Sequence, residues 1–110
     1  MSSQQKIEIY RDRLGNEPYT IWFNSLKDRQ TQLRILQRTK RMVNGNFGDH
    51  KAIGKGVWEM RLNFGQGYRM YYARVKERII VLLCSGTKKT QQQDIDQAQS
   101  YLKDYKGGLL

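Results

Sequence analysis

Four cations in the C-terminal half of the chain have the type and spacing to act on a phosphate: Arg61, Arg69 and the adjacent pair Lys88 and Lys89. Arginine is too basic to exchange protons readily, but its planar fork suits phosphate clamping. Lysine titrates near about 10.4 in isolation, and like charge or desolvation lowers that value toward the range of a base. RNA carries its own nucleophile, the 2′-hydroxyl. Its cleavage therefore needs only a proton acceptor, a proton donor and positive charge on the phosphate as negative charge builds up. Tyr71 and Tyr72, just after Arg69 in GYRMYY, could stack on a base or take part in proton transfer. Packing is the competing use of a tyrosine on a strand. These parts suffice for a metal-free ribonuclease, and they would serve passive nucleic-acid binding equally well.

The charge distribution supports a polyanionic partner. Lys and Arg outnumber Asp and Glu by 20 to 10, and from Arg29 to Lys89 there are 14 basic residues against three acidic ones, Asp49, Glu59 and Glu77. Such concentration points first to nucleic acid. In the second helical segment Arg34, Arg38 and Arg41 form a stripe at i, i+4 and i+7. It lies away from Leu33, Leu36 and Val43, which Ile35 and Met42 flank. Without interleaved acids these arginines repel one another, and a phosphate or carboxylate would relieve the repulsion. A solvated helix face is the alternative.

The segment GNFGDHKAIGKG (45–56) reads as a basic, glycine-rich loop in which Lys51 and Lys55 extend the RNA-binding set. It is not a phosphate-binding NTPase loop. Five residues separate Gly48 from Gly54 where four are required, Gly56 replaces the Ser/Thr, and a helix precedes it instead of a strand. His50 is the one histidine and belongs to no metal-ligand cluster, so neither a metal nor a cofactor is expected. Cys84, alone and within the apolar run IIVLLC, reads as a buried thiol suited to a reducing cytoplasm. No stretch is apolar enough for a signal peptide or a membrane span, and no membrane partner is expected.

These residues require a scaffold, and the hydrophobic pattern supplies one. KIEIY (6–10) alternates as a strand. Pro18 opens a helix carrying Tyr19, Trp22, Phe23 and Leu26, and after a break near Lys27-Asp28 a second helix stops at Asn44-Gly45. VWEMRLN points Trp58, Met60 and Leu62 one way and Glu59 and Arg61 the other. Gly65-Gln66-Gly67 turns the chain into YRMYYAR. RIIVLLC is apolar on both faces, as a covered central strand would be. Thr90 and Gln93 form a capping-box pattern before a last helix that buries Ile95, Ala98, Leu102 and Tyr105. The order β-α-α-β-β-β-α predicts a compact single α+β domain over 1–110, with helices against an antiparallel sheet and frayed ends at 1–5 and 106–110.

The segments GNFGDHKAIGKGVWEMRL, GQGYRMYY and IIVLLCSGTKKTQQQDI, in this order and spacing, carry a family resemblance. From about Pro18 to Tyr105 the chain resembles the RelE/ParE superfamily of bacterial toxins, in particular its HigB-like, phage-related addiction-module killer branch. The resemblance implies a type II toxin that cleaves messenger RNA, often on the ribosome, and is neutralised by an antitoxin, typically a helix-turn-helix protein. It further implies that Arg69 is the phosphate-contacting strand arginine, Arg61 the cation on the preceding strand, and Lys88 and Lys89 the basic residues after the last strand. Some cleaving members carry a C-terminal tyrosine or a histidine pair, and here TKKTQQQDIDQAQ offers neither before Tyr101. The resemblance therefore leaves the acid and base unassigned. A ParE-like gyrase inhibitor and a non-toxic antitoxin-binding module remain the alternative functions.

Overall fold

One five-stranded sheet covered by helices on both faces positions the cations. The computed structural model describes residues 4–108. In chain order the elements are β1 (Lys6–Ile9), α1 (Pro18–Ser25), α2 (Arg29–Val43), β2 (Asp49–Gly54), β3 (Val57–Leu62), β4 (Tyr68–Lys76) and β5 (Ile79–Gly86). A 3₁₀ turn (Lys88–Thr90) then leads into α3 (Gln91–Gly107). The strands lie in the order β1-β5-β4-β3-β2. Strands β3 to β5 pair antiparallel, as expected; β2 adds to β3 antiparallel and β1 joins β5 in parallel, so the sheet is mixed. A parallel pair needs a long connection, and everything from α1 to β4 lies between these two strands.

Alternation along the strands makes two cores. Met60 and Leu62 of β3, Met70 and Tyr72 of β4, and Ile80 and Leu82 of β5 pack with Tyr19 of α1 and Ile35 and Met42 of α2. On the other face Val57, Tyr71, Ala73, Val81 and Leu83 pack with Ala98 and Leu102 of α3. β5 lies between β1 and β4 and contributes to both cores, which explains its continuous apolar run. Cys84 is buried on the α3 side, where its thiol donates to the Asp94 carbonyl at 3.6 Å. Burial, and secondarily the Asp94 charge, push this thiol up to about 12. We expect it to resist alkylation in the folded protein and to react once denaturant is added, as a mass shift would show.

Three local expectations are corrected. The segment read as a loop over 45–56 contains β2, an edge strand whose side chains are exposed apart from the half-buried Ile53. Its pairing with β3 rests on the backbone ladder, so it shows no apolar alternation. Consequently His50 is a strand residue whose ring lies against Phe47 and Trp58. The turn into β3 uses left-handed backbone at Gly54, Lys55 and Gly56.

Helix α2 is rotated from its expected phase. Thr31, Ile35 and Met42 face inward, while Leu33 and Leu36 are 49% and 46% exposed. Its start fixes that rotation: Asp28 accepts from the Gln30 N–H and the Thr31 hydroxyl, and Gln32 donates back to the Phe23 and Leu26 carbonyls. These polar ties outweigh the apolar count on the opposite side.

The expected Thr90–Gln93 box is displaced. The reciprocal capping pair is Thr87 with Thr90, around the 3₁₀ turn, and the Thr90 hydroxyl donates to Asp94. Of the ends expected to fray, 1–3 and 109–110 lie outside the described residues. The Gln5 backbone N–H donates to the Val43 carbonyl, and α3 continues through Gly107.

Candidate nucleic-acid interface and its buried carboxylate

Strand pairing decides which cations meet. Arg61 of β3 is opposite Arg69 of β4, and Arg69 is opposite Gly86 of β5. The neighbouring row on the same face runs Lys51, Glu59, Tyr71, Cys84. Two arginines directly opposed would destabilise the ladder on their own. Glu59, completely buried, resolves the conflict. Its carboxylate accepts from Arg61 Nε at 3.1 Å, the Tyr71 hydroxyl at 3.2 Å and Gln91 Nε2 at 2.8 Å, and Arg69 Nε lies 3.7 Å away.

Arg69 is itself only 7% exposed. Its Nη1 donates to the Gly67 carbonyl at 2.8 Å, while its buried Nε makes no hydrogen bond and sees Glu59 only at ion-pair distance. The turn before β4 thus holds one branch of the fork and the carboxylate holds its root. Gly65 and Gly67 adopt the left-handed backbone this turn requires. At Gly67 a side chain would also meet Lys88 and Arg69.

Arg61, Arg69 and Lys88 line one cleft of about 310 Å³, together with Asn63, Phe64 and Tyr68. A second cleft of about 270 Å³ shares Asn63 and Phe64 and is lined by Arg34, Gln37, Arg38 and Arg41. The arginine stripe of α2 therefore faces the β3–β4 hairpin, and Arg34 lies over the Phe64 ring at 5.0 Å.

The remaining candidates separate from this group. Lys89 is exposed in the 3₁₀ turn and does not line the cleft. Lys51 is exposed on the edge strand, in the Glu59 row. Lys55 lies at the far turn of β2, beside Gln99 and Lys106 of α3. Tyr72 points to the opposite face of the sheet and stacks on Phe47 with ring centroids 5.5 Å apart; burial lifts its hydroxyl to about 12. A general acid or base at Tyr72 would have to act from inside that core, so the acid/base expectation for it is withdrawn. Tyr71 is fully buried, and burial together with the Glu59 charge raises its hydroxyl well above the usual range. It stays protonated and orients Glu59; the acid/base expectation for it is withdrawn too.

Glu59 and Gln91 are the members that the residue pattern alone did not single out. The available signal was one of only three acids among fourteen bases, two residues from Arg61 and so on its face of the strand. Burial acting alone would raise the Glu59 carboxyl. Hydrogen bonds from Gln91, Arg61 and Tyr71 and the charge of Arg69 overcome that and hold it below the ordinary carboxylate range. The folded carboxyl thus binds a proton less readily than the unfolded one. Its stabilisation is complete above an unfolded pKa of about 4.3 and lost as pH falls through the lower folded value. Urea midpoints measured down the acid limb should fall more steeply for the wild type than for Glu59→Gln.

Among the described residues, no group of three or more His, Cys, Asp and Glu side chains could hold a metal ion, and no helix is long and apolar enough to cross a membrane. Two comparisons with known proteins bear on the family. The family model described as "Phage derived protein Gp49-like (DUF891)" matches residues 22–103, a span that contains every candidate site residue named from the sequence. An uncharacterized protein of Haemophilus influenzae is 42% identical over 78 residues, covering 71% of this chain and 79% of that protein.

Proposed function

This chain belongs to the family of phage-derived Gp49-like proteins, and on that premise we propose that it is the toxin of a type II toxin–antitoxin pair, cleaving messenger RNA at its arginine cleft. The observation that carries this proposal is the convergence of Arg61, Arg69 and Lys88 on one cleft, with the two arginines oriented by a buried carboxylate. A rigid, pre-oriented cation acts where charge develops in the transition state without reorganising during the reaction.

In the proposed reaction the 2′-hydroxyl attacks the adjacent phosphorus and the bond to the 5′-oxygen breaks. The products are a 2′,3′-cyclic phosphate and a free 5′-hydroxyl. Arg69 clamps the non-bridging oxygens and Arg61 neutralises the neighbouring backbone. Solvent water accepts the proton from the 2′-oxygen, and the Lys88 ammonium, which lines the cleft, donates one to the departing 5′-oxygen and is reprotonated from water. Arg34, Arg38 and Arg41 hold RNA beside the cleft. The substrate is a message on the ribosome, in the cytoplasm. The neutralising partner is an acidic antitoxin, in this branch a helix-turn-helix protein, that masks the same cations.

Inducing the chain alone and together with the product of its neighbouring gene tests the proposal. Growth arrest with fragmented messages, abolished by the neighbour, is expected. Arrest with intact messages and a DNA-damage response would contradict it in favour of gyrase inhibition, and absence of arrest would favour a non-toxic binding module.

A further inference from the structure

The cationic surface does not end with α2. Arg38 lies so close to Gly48 that its Nη1 is 2.8 Å from the position a Cβ would take there. The next residue back, Phe47, is covered by Arg74, whose guanidinium carbon is 4.8 Å from the ring centroid. The exposed His50 ring approaches the same phenylalanine at 5.9 Å and Trp58 at 5.6 Å. Among the described residues, Arg34, Arg38, Arg41 and Arg74 have no acidic partner within ion-pair distance. Two aromatics along this line carry a cation: the half-buried Phe64 under Arg34, and the core residue Phe47 under Arg74. Exposed guanidinium planes held over rings, beside the exposed His50 ring and further backbone-neutralising charges, form a pattern that holds single-stranded nucleic acid without reading its sequence.

Resting on the ribonuclease reading, we infer that bound RNA continues past the Arg69 cleft, over Asn63 and Phe64 and along α2, to a second contact platform made by the exposed His50 and Arg74, which the buried Phe47 supports from beneath. The stripe from Arg34 to Arg41 alone spans about 10 Å at the helical rise, so the platform meets nucleotides well removed from the scissile bond. A single-stranded RNA is favoured over an acidic polypeptide because two of these arginines, Arg34 and Arg74, lie against rings. A flat base can share such a stack, whereas a carboxylate needs only the charge.

The test is equilibrium binding of the full chain to 2′-O-methyl RNA, which has no free nucleophile, in a short form that fills the Arg69 cleft and a long form that reaches the platform. The wild type should prefer the long RNA. Arg74→Gln should remove about tenfold of that preference and lower the salt slope for the long RNA by about 0.7, the value of one single-strand phosphate contact. His50→Ala should weaken the preference without changing the slope, and Arg74→Lys should restore the slope. Equal long-RNA affinity in wild type and Arg74→Gln would overturn the inference. Loss of antitoxin binding in Arg74→Gln with RNA binding intact would do the same, assigning the platform to the protein partner. Failure of the wild type to cleave unmodified RNA would overturn the ribonuclease reading alone, since binding is read separately.

Discussion

Arg69→Ala is expected to lower RNA cleavage by roughly 10²–10³-fold, the usual effect of deleting one pre-oriented donor from a site that stabilises developing charge. The reason is geometric. Arg69 is the most buried cation lining the cleft, and it is fixed at two points, by the Gly67 carbonyl and by Glu59. A solvent-exposed lysine such as Lys88 cannot replace it, because it would have to be ordered afresh in each encounter. The variant should still fold, since Glu59 keeps Arg61, Gln91 and Tyr71 as partners. Single-turnover cleavage of a defined RNA, with circular dichroism as the check on folding, measures this. Arg69→Lys retains the charge but loses the fork, and is expected to fall between the wild type and alanine.

Glu59→Ala is expected to be the most destabilising single change in the site, by about 3 kcal/mol or more. Removing this carboxylate leaves Arg69 buried without its counter-charge and orphans the Tyr71 hydroxyl and the Gln91 amide. Cleavage should fall as well, although Glu59 reaches RNA only through the arginines it positions. A double-mutant cycle with Arg69→Ala separates the two effects: strong coupling in urea unfolding marks the pair, and an alanine variant within about 0.5 kcal/mol of wild type would show that the carboxylate holds nothing. Glu59→Gln keeps the shape and part of the hydrogen bonding and should be milder in both respects.

Most of the scaffold was legible because its strongest signals are local. Pro18 opening α1, Gly45 closing α2, the Gly65-Gln66-Gly67 turn and the apolar run in β5 each act within a few residues. The elements misread are those whose cause lies elsewhere in the chain. β2 exists because β3 offers it a ladder, and the phase of α2 is set by Gln32 reaching back to α1. The site divides in the same way. Arg61, Arg69 and Lys88 were recognisable as cations, yet only strand register shows that one cleft gathers them. Alternation placed Glu59 on the face of Arg61 but could not reveal that Gln91, from a helix 32 residues on, and Tyr71 would close over it. The packing of the two tyrosines was hidden for a related reason: a buried phenol differs from an accessible one only through its neighbours.

The central claim, that this cleft cleaves RNA, is tested most directly by mapping messenger-RNA 5′ ends after inducing the wild-type chain and the Arg69→Ala variant side by side. New ends inside coding regions, bearing 5′-hydroxyls, are expected in the wild type and none in the variant. Ends clustered in frame would add the ribosome as the place of cleavage. Growth arrest with unbroken messages, or the same cleavage pattern in both strains, would contradict it.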